Sequence, residues 1–125
     1  MNQISVAEPV APMMPGMPVP TTIHPDQICL SVTLCVARDA SIGLVALTSP
    51  SRGNPQIAFS RQMAMYLAHV VFGISQSAIG QFFGRDRTTV AHACRLVEDR
   101  RDDIWLDFRL ATLELACRTA IGEGR

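Results

Sequence analysis

The sequence predicts an all-α fold: a compact bundle of about five to six helices containing a helix-turn-helix, preceded by a disordered N-terminal tail. Three observations predict it. In the C-terminal two thirds the apolar residues recur at helical spacing, and most runs end on a glycine or on charges. Breakers cluster between those runs, most clearly in "SPSRGNPQ" with Pro50, Gly53 and Pro55. Two short helical segments flank a tight glycine-containing turn, and the second segment is basic.

Residues 1–23 hold five of the eight prolines and four of the six methionines. Proline at every second or third position removes backbone donors and fixes φ, so neither helix nor sheet is expected there. The folded domain is expected to occupy residues 24–125, and at 125 residues with 48% apolar composition the chain has room for one such core. In "HPDQICLSVTLCVARD" two signals compete. Ile28, Leu30, Val32, Leu34 and Val36 alternate as a strand would, whereas Pro25 followed by Asp26 is a good helix opening. No second strand is available for pairing, so a helix is expected, with "SIGLVALTS" as a shorter apolar piece after it.

Ser60 is then a candidate cap for "RQMAMYLAHVVFG", where Met63, Leu67, Val70 and Val71 share a face and Gly73 is the stop. Ser75 is positioned to cap "SQSAIGQFFG", ending at Gly84. The next helix opens near Asp86 and runs to about Arg101, and the last runs from Asp102 or Asp103 to about Ile121.

The net charge is zero, which argues against a chain that coats nucleic acid or acidic membrane indiscriminately. The charge is nevertheless unevenly placed. Residues 52–101 carry seven arginines against three acids, while residues 1–51 carry one against three and residues 102–125 three against five. Every basic residue is arginine, the better fork for phosphates and guanine edges. Cys29, Cys35, Cys94 and Cys117 form no CxxC pair and stand at no zinc-ligand spacing from His24, His69 or His92, so buried thiols and no metal are expected. No apolar run is long enough to span a membrane and no signal peptide is evident, so a cytoplasmic, nucleoid-associated protein without membrane contact is expected.

At about 100° per residue from Asp86, Val90, Ala93, Cys94 and Val97 fall on one arc, the natural core side. Thr88, Ala91, His92 and Arg95 fall on the opposite arc, with Arg87 at its edge and Arg85 just before the helix. Arginine can bond guanine edges or phosphates, aspartate can accept from the cytosine amino group, and threonine offers a hydroxyl and a methyl. That chemistry suits a major groove. The plain alternative is a solvated helix in which Asp86 pairs with Arg85 or Arg87.

"RQMAMYLAH" followed by "IGQFFGRDRTTVAHACR" resembles the C-terminal DNA-binding domain of the bacterial replication initiator family, DnaA. That family reads GGRDHTTV, then a His-Ala pair, after an RQMAM-type helix. The resemblance spans about residues 27–120 and is strongest over 61–98. It implies a Trp-repressor-like helical domain that binds a short double-stranded DNA site, with base readers at Asp86, Arg87, Thr88 and Thr89. It implies backbone contacts at Arg61, Gln62 and His69, with Arg52 as the minor-groove arm; from their place on or beside the polar helix face, Arg85, His92 and Arg95 are further candidates for backbone contacts. Two residues depart from the pattern: Arg87 replaces the family's histidine, and "FFGRD" stands where the family has FGGRD.

No GxxxxGK[ST] phosphate loop is present, so no nucleotide or other cofactor is expected, and the resemblance is to the DNA reader without the ATPase portion. No nucleophile–base pair is visible, so an enzyme is not expected. The expected function is sequence-specific double-stranded DNA binding that regulates transcription or replication initiation. The alternative is a protein-interaction module, with DNA binding lost, that uses the last helix. In that helix Ile104, Phe108, Ala111 and Leu115 form one apolar stripe, read as closing the domain. Leu106, Leu110 and Leu113 form a second, which is either buried or shared with a partner such as a second copy of the chain.

Overall fold

The computed structural model describes residues 23–50 and 53–122, and every described element is helical. In chain order these are α1 (Pro25–Ala40), α2 (Leu44–Thr48), α3 (Pro55–Val70), α4 (Gln76–Phe83), α5 (Arg87–Arg100) and α6 (Ile104–Ile121). The N-terminal expectation for residues 1–22 lies outside the described residues, as does Arg52.

The ambiguity at α1 resolves as a helix. His24 caps it: the ring Nδ1 accepts from the Asp26 N–H at 3.1 Å, and Gln27 Oε1 accepts from the His24 N–H at 3.3 Å. Cys29, Val32, Thr33, Val36 and Ala37 then form one buried face, while Leu30 and Leu34 point outward. Two of the residues that alternated in sequence are therefore solvent-facing, and the helical period is the one that packing obeys. Thr33 is buried without cost because its hydroxyl donates to the Cys29 carbonyl at 2.6 Å.

Helix α3 begins earlier than Ser60. Asn54 is the cap, accepting from the Ile57 N–H at 2.9 Å, and Pro55 occupies the first helical position. Proline is suited to that position because its missing donor would have no intrahelical acceptor. Ser60 is instead buried in the middle of the helix. From Ser60 to Ala68 only Gln62 escapes burial, as befits a central helix wrapped on several sides. It packs against α1 on one flank and α5 on another, while α4 packs against α5 and α1. Tyr66, 2% exposed, donates from its hydroxyl to Glu98 Oε1 at 2.6 Å and accepts from Arg101 Nη1 at 3.1 Å. Arg101 also reaches Asp107 at 2.7 Å, so one buried phenol joins α3 to the end of α5 and the start of α6.

The stripes of α6 are reversed relative to the sequence expectation. Leu110 and Leu113, with Cys117, are buried against the body of the domain and Leu106 is half-buried. Ile104, Phe108, Ala111 and Leu115, assigned to closing the domain, face outward. Both stripes are equally apolar in sequence. The Arg109–Asp39 ion pair at 2.7 Å joins α6 to α1 beside the buried stripe.

Candidate nucleic-acid interface

Helices α4 and α5 form a helix-turn-helix whose turn is only Gly84, Arg85 and Asp86. Ser75 caps α4, accepting from the Ala78 N–H at 3.1 Å. Gly84 ends α4 in the left-handed region, φ 68°, where a side chain would be strained. The Arg85 N–H then donates back to the Gly80 carbonyl at 2.8 Å, folding the turn against α4. Gly80 is what permits this: a Cβ there would stand 2.5 Å from the Arg85 carbonyl oxygen. The sequence reading singled out Gly84 and overlooked Gly80, although a glycine inside a helix is itself a signal of close approach.

Asp86 is the residue before α5, in extended conformation, and its carboxylate does not cap the helix. Asp86, Arg87, Thr88 and Thr89 are all exposed, and His92 and Arg95 continue the exposed side. Val90, Ala93, Cys94 and Val97 are buried, as the helical wheel requires. Among the described residues neither Arg87 nor Arg95 is in an ion pair, and Asp86 pairs with neither neighbouring arginine.

Five of the residues singled out from sequence meet around a cleft of about 330 Å³ between α3 and α5: Arg61, Gln62, Arg85, Thr89 and His92. The two arginines there are strongly anchored. Arg61 is 5% exposed, and donates through Nε to the Leu47 carbonyl at 2.7 Å and through Nη2 to the Ala46 carbonyl at 3.1 Å. Arg85 donates to the Phe83 carbonyl at 2.8 Å and to the Ser49 carbonyl at 3.1 Å. Both guanidiniums thus hold the carbonyl-rich end of α2, where cations are favoured. Burial, and after it the charge of Arg85, draws the Arg61 pKa below its ordinary value. No sequence signal pointed to this anchoring, because the acceptors are main-chain carbonyls far along the chain.

His69 is placed elsewhere. It sits near the C-terminal end of α3, about 12 Å along the helix from Arg61, and its Nδ1 lies 2.8 Å from the Ile74 carbonyl oxygen. It is not among the residues lining the cleft. Among the described residues no cluster of His, Cys, Asp or Glu could hold a metal, and no helix is long and apolar enough to cross a membrane.

The same segment matches known proteins. The family model for the bacterial DnaA protein helix-turn-helix matches residues 31–97. Chromosomal replication initiator protein DnaA of Lactococcus lactis subsp. cremoris (strain MG1363) is 44% identical over 66 residues, covering 52% of this chain and 14% of that protein. The namesake from Bifidobacterium animalis subsp. lactis (strain AD011) is 43% identical over 53 residues, 41% of this chain and 9% of that protein. The chain therefore matches only a small part of the length of these curated relatives. The matched span begins within α1, takes in both helices and the turn just described, and covers more than half of the sequence: the chain belongs to the bacterial DnaA helix-turn-helix family.

Proposed function

We propose that this chain is a sequence-specific double-stranded DNA reader, a non-catalytic module that acts at nucleoid sites to regulate transcription or replication initiation. Membership of a DnaA helix-turn-helix family implies DNA binding. The finer reading rests on one observation above all: the N-terminal turn of α5 presents Asp86, Arg87, Thr88 and Thr89 to solvent, and among the described residues neither the Arg87 guanidinium nor the Asp86 carboxylate is in an ion pair.

In this reading α5 enters a major groove by its N-terminal end. Arg87 takes a purine edge, with guanine preferred, Asp86 accepts from a cytosine or adenine amino group, and the threonines contact a thymine methyl or a phosphate. The helix N-terminus adds a favourable field for phosphate. Gln62 and His92, at the cleft, contact the backbone, and Arg95 does so one turn further on. Arg52 remains the proposed minor-groove arm. Arg61 and Arg85 act chiefly as positioning residues: they tie the end of α2 and the Ser49–Pro50 segment to the turn that aims α5. Acids become frequent beyond Arg95, at Glu98, Asp99, Asp102 and Asp103, so the groove-facing length is confined to the first turns.

Selection from a random duplex library at near-physiological salt tests this. The expected result is one enriched motif whose guanine-bearing position changes when Arg87 is replaced. Weak, salt-sensitive retention with no motif would refute sequence-specific reading, and no retention at low salt would refute DNA binding altogether.

A further inference from the structure

Helix α6 leaves open a face that the domain does not use. Ile104, Trp105, Phe108 and Leu115 are 74, 79, 69 and 68% exposed, and Ala111 and Thr112 lie between them. The spacing of residues 104, 108, 111 and 115 is four, three, four, the interval at which one helix offers a continuous seam to another. We propose that this face binds the same face of a second copy of the chain, forming a two-fold symmetric pair of antiparallel α6 helices.

The area fits such a partner. An aromatic side chain presents about 150–250 Å² and an aliphatic one on the order of 100 Å², so the four exposed residues offer roughly 450 Å² of apolar surface. A standard interface covers about 800 Å² per partner, somewhat over half of it apolar. The four side chains alone thus supply the apolar share that a stable dimer requires.

The charges fit as well. Flanking ion pairs are closed within the chain: Arg101–Asp107 at 2.7 Å, Arg109–Asp39 at 2.7 Å and Arg118–Glu114 at 3.3 Å. The face itself, Ile104, Trp105, Phe108, Ala111, Thr112 and Leu115, carries no charge, so two copies meet there without like-charge contact, and residues 102–125, with five acids and three arginines, disfavour a phosphate backbone. Register completes the match. An antiparallel pair centred between Ala111 and Thr112 sets Phe108 opposite Leu115 of the other copy, so large side chains meet across a small-residue axis.

The dimer leaves the α5 surface open, because α6 packs mainly on α1 and not on the α4–α5 pair. Two recognition helices related by a two-fold axis would read inverted half-sites. Association itself does not depend on DNA.

Trp105 is the only tryptophan, so tryptophan emission, excited at a wavelength where Tyr66 does not absorb, reports on this face alone. Sedimentation velocity of the full chain over about 1–200 μM should show a monomer–dimer equilibrium, with Trp105 emission shifting to the blue as dimer forms. Phe108→Asp, which alters an exposed side chain and should keep its helical circular dichroism, should weaken dimerisation at least about tenfold. A monomer at every concentration overturns the proposal, as does a Phe108→Asp variant that dimerises like the parent. Blue emission that is independent of concentration and lost on removing residues 1–22 also overturns it, assigning the face to the chain's own N-terminal segment.

Discussion

Replacing Gly80 by alanine isolates the contact on which the helix-turn-helix depends. The residue lies inside α4, where alanine is the better helix former by about 1 kcal/mol. A stability estimate from propensity alone therefore predicts a gain. The structure predicts a loss. The new Cβ would stand 2.5 Å from the Arg85 carbonyl oxygen and 3.4 Å from the Asp86 carbonyl carbon, both main-chain atoms that no rotamer change can move. Ordinary contact requires the turn to retreat by most of an ångström. That retreat stretches the 2.8 Å bond from the Arg85 N–H to the Gly80 carbonyl and displaces the Arg85 guanidinium from Ser49. Overpacking of this kind costs about 1–3 kcal/mol, which exceeds the propensity gain at most of its range. Set against the propensity gain, the net loss is up to about 2 kcal/mol, which for a domain of this size is a fall in Tm of up to roughly 8–16 °C. Thermal unfolding followed by circular dichroism is the assay, with Gly43→Ala as the control because nothing lies within 4 Å of a Cβ there. DNA affinity should fall with Gly80→Ala and not with Gly43→Ala. A Gly80→Ala protein as stable as the parent, with unaltered motif preference, would refute the claim that this close approach aims α5.

Other predictions separate roles that share a region. Arg87→Ala should cost about 1–3 kcal/mol at particular base pairs only, whereas Arg95→Ala should weaken all duplexes alike and lower the salt slope by about one; both are read from binding isotherms on matched and mismatched sites. Arg61→Ala removes charge-assisted bonds to the Leu47 and Ala46 carbonyls, and should destabilise the fold by about 1–3 kcal/mol in urea unfolding while leaving base preference unchanged. An undiminished midpoint of unfolding would contradict its structural role. Burial raises the Cys29 thiol from 9.0 to about 11, with the Asp26 charge adding to the rise. The thiol ionises more readily in the unfolded chain, so its contribution is complete below about pH 9 and is lost as pH climbs toward about 11. Unfolding measured against pH should show that decline, and Cys29→Ala should lessen it without removing it, because burial raises the Cys94 and Cys117 thiols in the same direction. Tyr66→Phe leaves Glu98 and Arg101 without their shared hydroxyl and should cost about 1–2 kcal/mol in the same assay.

Much of this architecture can be read from local signals. Ser75, Gly84 and Asp86 bracket α4 and α5 because caps and left-handed stops depend on residues only a few positions apart. The buried side of α5 follows from its spacing of Val90, Ala93, Cys94 and Val97 for the same reason. What local pattern could not supply is choice between equals. Asn54 and Ser60 are both competent caps, and the decision fell to Pro55, which makes the earlier start nearly cost-free. The two stripes of α6 have similar apolarity, and which one meets α1 is a matter of tertiary packing that spacing within the helix does not carry. Arg61 was legible as important but not as an anchor, since its acceptors lie 14 and 15 residues away and carry no side-chain signature.

The uncapped start of α5 gives the position a divided interest. Asp86 stands where a serine or aspartate ordinarily accepts from the helix's first amides, yet its carboxylate makes no such bond. The free domain thereby forgoes about 1 kcal/mol that a working cap would contribute. Laboratory evolution for heat resistance would find that reserve readily, for instance through Asp86→Ser. It would then enrich proteins that survive boiling better while discriminating duplexes less well, so a screen on stability alone would select against the residue proposed to read the base.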